Sequence, residues 1–183
     1  YIKRLMPTFF GLVFVSFLLQ YFIRILQVGG SESDDLFMGF GLFFSLWVVV
    51  VAKFSDIGAL LVGKAIGRTK LAPSISPGKT IEGLIGGFGA SAGMGALLPW
   101  IFQEKFPDVV YFGDWVFTPV QGALWGFVIA LSAVIGDLIA SVMKRLASMK
   151  DSGGAIPGIG GLFDLTDSLI LAAPTGYLIL FLL

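Results

Sequence analysis

The chain of 183 residues has no cysteine and no histidine, and its 12 basic and 12 acidic side chains cancel to zero net charge. Hydrophobic residues make up 56% and charged ones only 13%, with a mean hydropathy of +0.93; soluble domains carry about 25% charged residues. Disulfides, thiolate or imidazole metal ligands and a Ser-His-Asp triad are thereby excluded, which leaves carboxylates, hydroxyls, lysine and arginine for chemistry.

Apolar stretches long enough to cross a bilayer, at about 20 residues per crossing, run roughly over Thr8–Val28, Leu36–Val62, Ile81–Phe102, Phe117–Met143 and Leu162–Leu183. The reading is an all-α, polytopic integral membrane protein with about five transmembrane helices. Residues 1–183 form a single membrane-embedded domain. Tyr1 to Arg4 lacks a signal-peptide layout, and the chain reads as the C-terminal portion of a longer one. Charge alternates between the connections. Lys3 and Arg4 precede the first span, and Glu32, Asp34 and Asp35 follow it. Lys64, Arg68, Lys70 and Lys79 fill the second loop. Glu104, Asp108 and Asp114 outnumber Lys105 in the third. Lys144, Arg145 and Lys150 occupy the fourth. The positive-inside rule then puts the basic loops in the cytoplasm and the acidic ones outside, with the protein in the cell (inner) membrane.

The third span carries Gly83, Gly87, Ser91 and Gly95 at four-residue spacing, a seam where helix backbones approach closely. Trp47, Trp100, Trp115 and Trp125 read as interface anchors or packing. Gly78-Lys79-Thr80 resembles part of a phosphate loop, but Pro73 stands where the P-loop needs glycine. Lys79 and Thr80 still suit phosphate binding at a helix N-terminus, and Glu82 suits a helix cap.

Asp56, Asp137, Asp164 and Asp167 all fall near the cytoplasmic ends of spans. A charge at bilayer depth costs at least about 2.5–3.5 kcal/mol, so four carboxylates at one depth point to function. Without His or Cys they suit a hard cation such as Mg²⁺, held by one or two carboxylates and substrate phosphates. Asp137, Ser141, Lys144 and Arg145 form one helical stripe, acid deeper than bases. Lys150 and Asp151 follow, then Ser152-Gly153-Gly154 and Gly158-Ile159-Gly160-Gly161, whose amides can approach phosphate.

Two segments resemble the phosphatidate cytidylyltransferases, also called CDP-diacylglycerol synthases. The C-terminal pattern is carried by Ser141, Lys144, Arg145, Lys150, Asp151, Gly153, Pro157, Gly158, Gly160, Gly161, Asp164 and Asp167. The upstream pattern is carried by Ser55, Asp56, Gly58, Ala59, Lys70, Leu71, Ala72, Pro73, Ile75, Ser76, Pro77, Lys79, Thr80, Glu82 and Gly83. The chain departs at Ile159 and Leu165, where the family has His and Arg, and at Ile57, Gly78 and Ala140. The resemblance implies transfer of a cytidylyl group from CTP to phosphatidate, giving CDP-diacylglycerol and pyrophosphate, with Mg²⁺ and room for a second cation. It implies Asp137, Asp164 and Asp167 as metal ligands, with Lys144, Arg145, Lys150 and Asp151 beside them in the catalytic set. Ser55, Asp56, Ser76, Lys79, Thr80 and Ser141 would bind substrate. The expected partners are CTP, phosphatidate and the bilayer, with a homodimer compatible and no nucleic acid.

Other classes make different demands. A transporter or channel needs polar residues continuing to the outer face, where the spans are nearly all Leu, Phe, Val, Gly and Ala. A silent scaffold needs dispensable acids. A relative acting on another lipid phosphate would use the same residues.

Overall fold

In lipid the backbone must satisfy its own hydrogen bonds, and the long apolar runs accordingly fold as helices. A computed structural model describes residues 15–28, 39–73, 75–106, 108, 110–112, 115–146 and 166–183. Among these lie α1 (Val15–Leu26), α2 (Phe40–Ile66), α3 (Ile81–Lys105), α4 (Pro119–Leu146) and α5 (Leu169–Leu182). Helices α2, α3 and α4 have 27, 25 and 28 residues and are long and apolar enough to cross a membrane. At 1.5 Å per residue each measures about 40 Å, against a hydrocarbon core of about 30 Å. Helices α1 and α5 are shorter within the described residues, and residues 8–14 and 162–165 of the two outermost expected spans lie outside them.

Each long helix runs about one turn beyond its apolar stretch. Hydropathy marks the edge of the hydrocarbon, whereas the helical hydrogen-bond ladder continues into the headgroup region. Lys64 closes α2, and Lys144 and Arg145 close α4, where cations suit the negative end of the helix dipole.

The described residues are mostly helical, as expected, and two short antiparallel ribbons add to the helices. β1 (Lys70–Ala72) and β2 (Ser76–Thr80) form an antiparallel hairpin between α2 and α3, pairing Lys70 with Thr80 and Ala72 with Ser76. β3 (Tyr111–Phe112) and β4 (Trp115–Val116) form a second two-stranded ribbon before α4. Once the chain leaves the helices its backbone groups still need partners, and short antiparallel ladders supply them.

The small-residue seam is observed. Gly83, Gly87, Ser91 and Gly95 are all buried on α3, which packs against α2 on one side and α4 on the other. A side chain at Gly87 would meet the Ser55 carbonyl, and one at Gly83 the Ala59 carbonyl, each at 2.7 Å. Ser91 Oγ lies 3.0 Å from the carbonyl oxygens of both Val51 and Gly126, bridging the three helices. Gly95 and Gly122 touch backbone to backbone, so a Cβ on either would run into the other's carbonyl. Trp47 is fully buried and donates its indole N–H to Gly95 O at 3.0 Å, a packing role rather than an interface one.

Gly122→Ala should therefore destabilise the bundle by about 1–3 kcal/mol through overpacking against backbone that cannot yield. Gly89→Ala, with open space around it, should leave the thermal unfolding midpoint in detergent unchanged.

Phe40, Phe43, Phe44, Trp47 and Phe117 stack where α2 begins and α4 is entered. Lys64, Lys79, Lys144, Arg145 and Asp167 gather toward the opposite end, where α2 and α4 finish and α3 and α5 begin.

Candidate active site

Four segments bring the charged residues together. Helix α2 carries Lys53 and Asp56 one turn apart, with Lys53 Nζ 3.6 Å from the carboxylate. The β1–β2 hairpin delivers Lys79 at the end of β2, where it forms an ion pair with Asp137 of α4. Two turns further along α4, Lys144 reaches Asp167 at 3.8 Å, in the turn that enters α5. Ser168, the N-cap of α5, accepts a hydrogen bond from Lys53 Nζ at 2.9 Å. The backbone of Asp167 packs against Gly136, next to Asp137, so the two carboxyls are electrostatic neighbours, and Asp56 lies near enough to Asp137 to interact with it. Three acids, each paired with a lysine, thus gather in one region. Crowded carboxylates are tolerable at this depth only because each has a cation against it.

The hairpin is fixed by local chemistry. Thr80 is the N-cap of α3 and accepts from the Gly83 amide at 3.1 Å, which satisfies an otherwise orphaned donor. Glu82, expected to cap the helix, reaches back to the hairpin and accepts from the amides of Arg68 and Thr69, at 3.1 Å each. Ile81 N–H donates to Thr69 O at 2.9 Å. The chain leaving α2 is thereby tied to the start of α3, and Lys79 is held over α4.

A cavity of about 320 Å³ opens between the hairpin and the helices. Its polar lining is Asp56, Ser76, Lys79, Thr80 and Asp137, and its apolar lining includes Leu60, Leu71, Leu84 and Val134. This is the low end of the range for small-molecule sites, about 300–1,000 Å³. The charged and hydroxyl groups suit phosphate, and the apolar side chains suit hydrocarbon or a base.

Of the residues singled out from the sequence, Asp56, Ser76, Lys79, Thr80 and Asp137 line this cavity. Asp167 and Lys144 adjoin it through Asp137. Ser55 does not line it: it is fully buried in the α2–α3 seam against Gly87, its hydroxyl without a hydrogen-bond partner among the described residues. The α4 stripe divides. Lys144 turns to Asp167, Ser141 is half-buried outside the cavity lining, and Arg145 is exposed at the helix end. Thr80 is committed to capping α3. Lys150, Asp151 and Asp164 lie outside the described residues, as do Ile159 and Leu165.

Two residues were missed, Lys53 and Ser168. The signal for Lys53 was present, because a lysine near the middle of a 27-residue apolar helix is itself costly. Ser168 gave none, since a serine at a helix start reads as an ordinary cap.

Among the described residues no three carboxylates gather with metal-site geometry. The facing pair Asp137 and Asp167 still fits Mg²⁺, which takes oxygen ligands and is bound through one or two carboxylates plus substrate phosphates.

The cytidylyltransferase family model matches residues 1–183. The chain is 41% identical over 143 residues to a phosphatidate cytidylyltransferase of Synechocystis sp., covering 78% of this chain and 45% of the relative. It is 34% identical over 171 residues to the Chlamydia trachomatis protein of that name, covering 93% and 53%. The Bacillus subtilis protein of that name matches at 32% over 168 residues, covering 92% and 55%. The chain spans about half the length of these curated relatives. Every helix and both hairpin strands that hold the acid–lysine cluster fall inside the matched range, and the chain belongs to the cytidylyltransferase family.

Proposed function

We propose that this chain carries the reaction centre of a phosphatidate cytidylyltransferase, joining CTP and phosphatidate into CDP-diacylglycerol and releasing pyrophosphate. The observation that carries the reading is the convergence of Asp56, Asp137 and Asp167 with Lys53, Lys79 and Lys144 beside a cavity lined by both charged and apolar side chains. Family membership supports it, because the relatives bear that activity in their names.

The reaction needs little acid–base machinery. A phosphate monoester loses its second proton near pH 6, so a phosphatidate oxygen is already an anionic nucleophile, which agrees with a chain lacking histidine. That oxygen attacks the α-phosphorus of CTP, the bond from this phosphorus to the bridging oxygen breaks, and pyrophosphate leaves with the electron pair. Positioning and neutralisation of charge dominate such transfers. Asp137 and Asp167, with Asp164, would hold Mg²⁺, which when bound neutralises phosphate charge and polarises the phosphoryl oxygens. Lys79 and Lys144 would exchange their carboxylate partners for phosphate oxygens as substrate enters, so the ion pairs keep these lysines aimed at the cavity. Ser76 would contact the nucleotide from the hairpin. Arg145, Lys150 and Asp151 would complete the charged rim.

The proposed setting is the cell membrane, with about five crossings in this chain and the acid–lysine end facing the cytoplasm, where CTP is available. The basic residues at that end support this sidedness through the positive-inside rule. In a chain free of native cysteine, Ser152→Cys should react with an impermeant maleimide only from the cytoplasmic side of sealed vesicles. Labelling from outside would reverse the topology.

The activity test uses purified protein in detergent with CTP, phosphatidate and Mg²⁺, omitting one component at a time. CDP-diacylglycerol should form only when all three are present. Turnover with an isoprenoid phosphate but not with phosphatidate would reassign the lipid, and no nucleotide turnover with either would remove the reading.

A further inference from the structure

Lys53 is a costly residue where it stands, near the middle of the largely apolar helix α2. Its contacts account for the placement. Nζ stands 3.6 Å from the Asp56 carboxylate and donates to Ser168 Oγ at 2.9 Å. Ser168 is fully buried at the N-cap of α5, a position where serine ordinarily turns its hydroxyl onto the helix amides. It makes no such cap bond. The hydroxyl accepts from Lys53 instead. The backbone amide of Ser168 meanwhile donates to Asp167 Oδ1 at 2.8 Å. Asp167 is therefore held from two directions: by Lys144 from α4, and by the Ser168 turn that Lys53 fastens to α2.

We infer that Lys53 is a positioning residue for the acid pair, clamping the Ser168 turn so that the Asp167 carboxylate stays aimed at Asp137. The inference rests on the cytidylyl-transfer reading for the reaction it serves, and on Asp137 and Asp167 as the cation-holding pair. Residues that orient metal-binding carboxylates typically change affinity or activity by about 10–100-fold when removed.

The test measures cation affinity and turnover separately on the full chain in detergent. Mn²⁺ is the probe, since its free-ion electron paramagnetic resonance signal falls as it binds. Lys53→Met and Ser168→Ala should each weaken Mn²⁺ binding and lower kcat by about tenfold or more. The double variant should be no worse than the more impaired single one, because both break the same clamp. Lys53→Arg should restore most of the loss. Unchanged Mn²⁺ affinity in Lys53→Met would overturn the inference. Tighter affinity, the result of removing a charge that merely repels cations, would overturn it too, as would fully additive losses or no Mn²⁺ binding by the wild type. Should Lys53→Met fail to insert, Ser168→Ala decides on the same criterion. A wild-type chain that binds Mn²⁺ in a Lys53-dependent way but turns over no CTP would keep the clamp and remove the reaction.

Discussion

Asp137→Asn should lower CDP-diacylglycerol synthesis by about 10²–10⁴-fold while leaving the chain folded and inserted. Asp137 sits where the hairpin, α4 and the α5 turn meet: it is paired with Lys79, faces Asp167 and lines the cavity. Asparagine keeps the shape and one acceptor oxygen but removes the charge that would hold a divalent cation. Cation-mediated stabilisation of a phosphoryl transition state is worth several kcal/mol, and each ~1.4 kcal/mol is a factor of ten in rate. The loss should fall on kcat, and raising Mg²⁺ should recover little of it. Full activity in Asp137→Asn at ordinary Mg²⁺ would remove this residue from the site.

Lys79→Met should raise the KM for CTP by about 10–100-fold, since a hydrogen bond to a charged group is worth about 1.5–3 kcal/mol. It should also destabilise the protein, because the Asp137 carboxylate loses its partner at a position where both side chains are only about a quarter exposed, 25% for Lys79 and 23% for Asp137. Breaking a buried pair from one side costs more than the pair contributes, because it leaves an uncompensated charge. The double variant Lys79→Met/Asp137→Asn should thus unfold at a higher temperature than Lys79→Met alone and still be inactive. Thermal unfolding in detergent and steady-state kinetics separate the two effects. A double variant less stable than either single one would show that the ion pair is not what couples the hairpin to α4.

Much of this arrangement was legible before the structure, for identifiable reasons. The three long helices follow from uninterrupted apolar runs, and the seam on α3 follows from the strict spacing of Gly83, Gly87, Ser91 and Gly95. The acids were found by depth, since Asp56, Asp137 and Asp167 stand out in segments where any charge is expensive. Which lysine meets which acid was not legible. Lys79 and Asp137 are far apart in the chain, and only the β1–β2 hairpin swings one over the other. That hairpin was itself hidden, because a short polar segment with prolines carries no periodicity to read. The position of Ser55 was not legible either: it stands next to Asp56 in sequence, yet a single helical step turns it from the cavity into the α2–α3 seam. Arg145, one residue beyond Lys144, is exposed at the helix end, a difference that adjacency in sequence does not show.

The most direct measurement of the central claim is the fate of two labels in CTP. Phosphorus label at the α position should appear in the lipid product, and label at the γ position in released pyrophosphate, in equal amounts and only with phosphatidate and Mg²⁺ present. Asp137→Asn should suppress both together. Alpha label remaining in water-soluble CMP or CDP, with none in lipid, would contradict a cytidylyl transfer to lipid phosphate at the acid–lysine cluster.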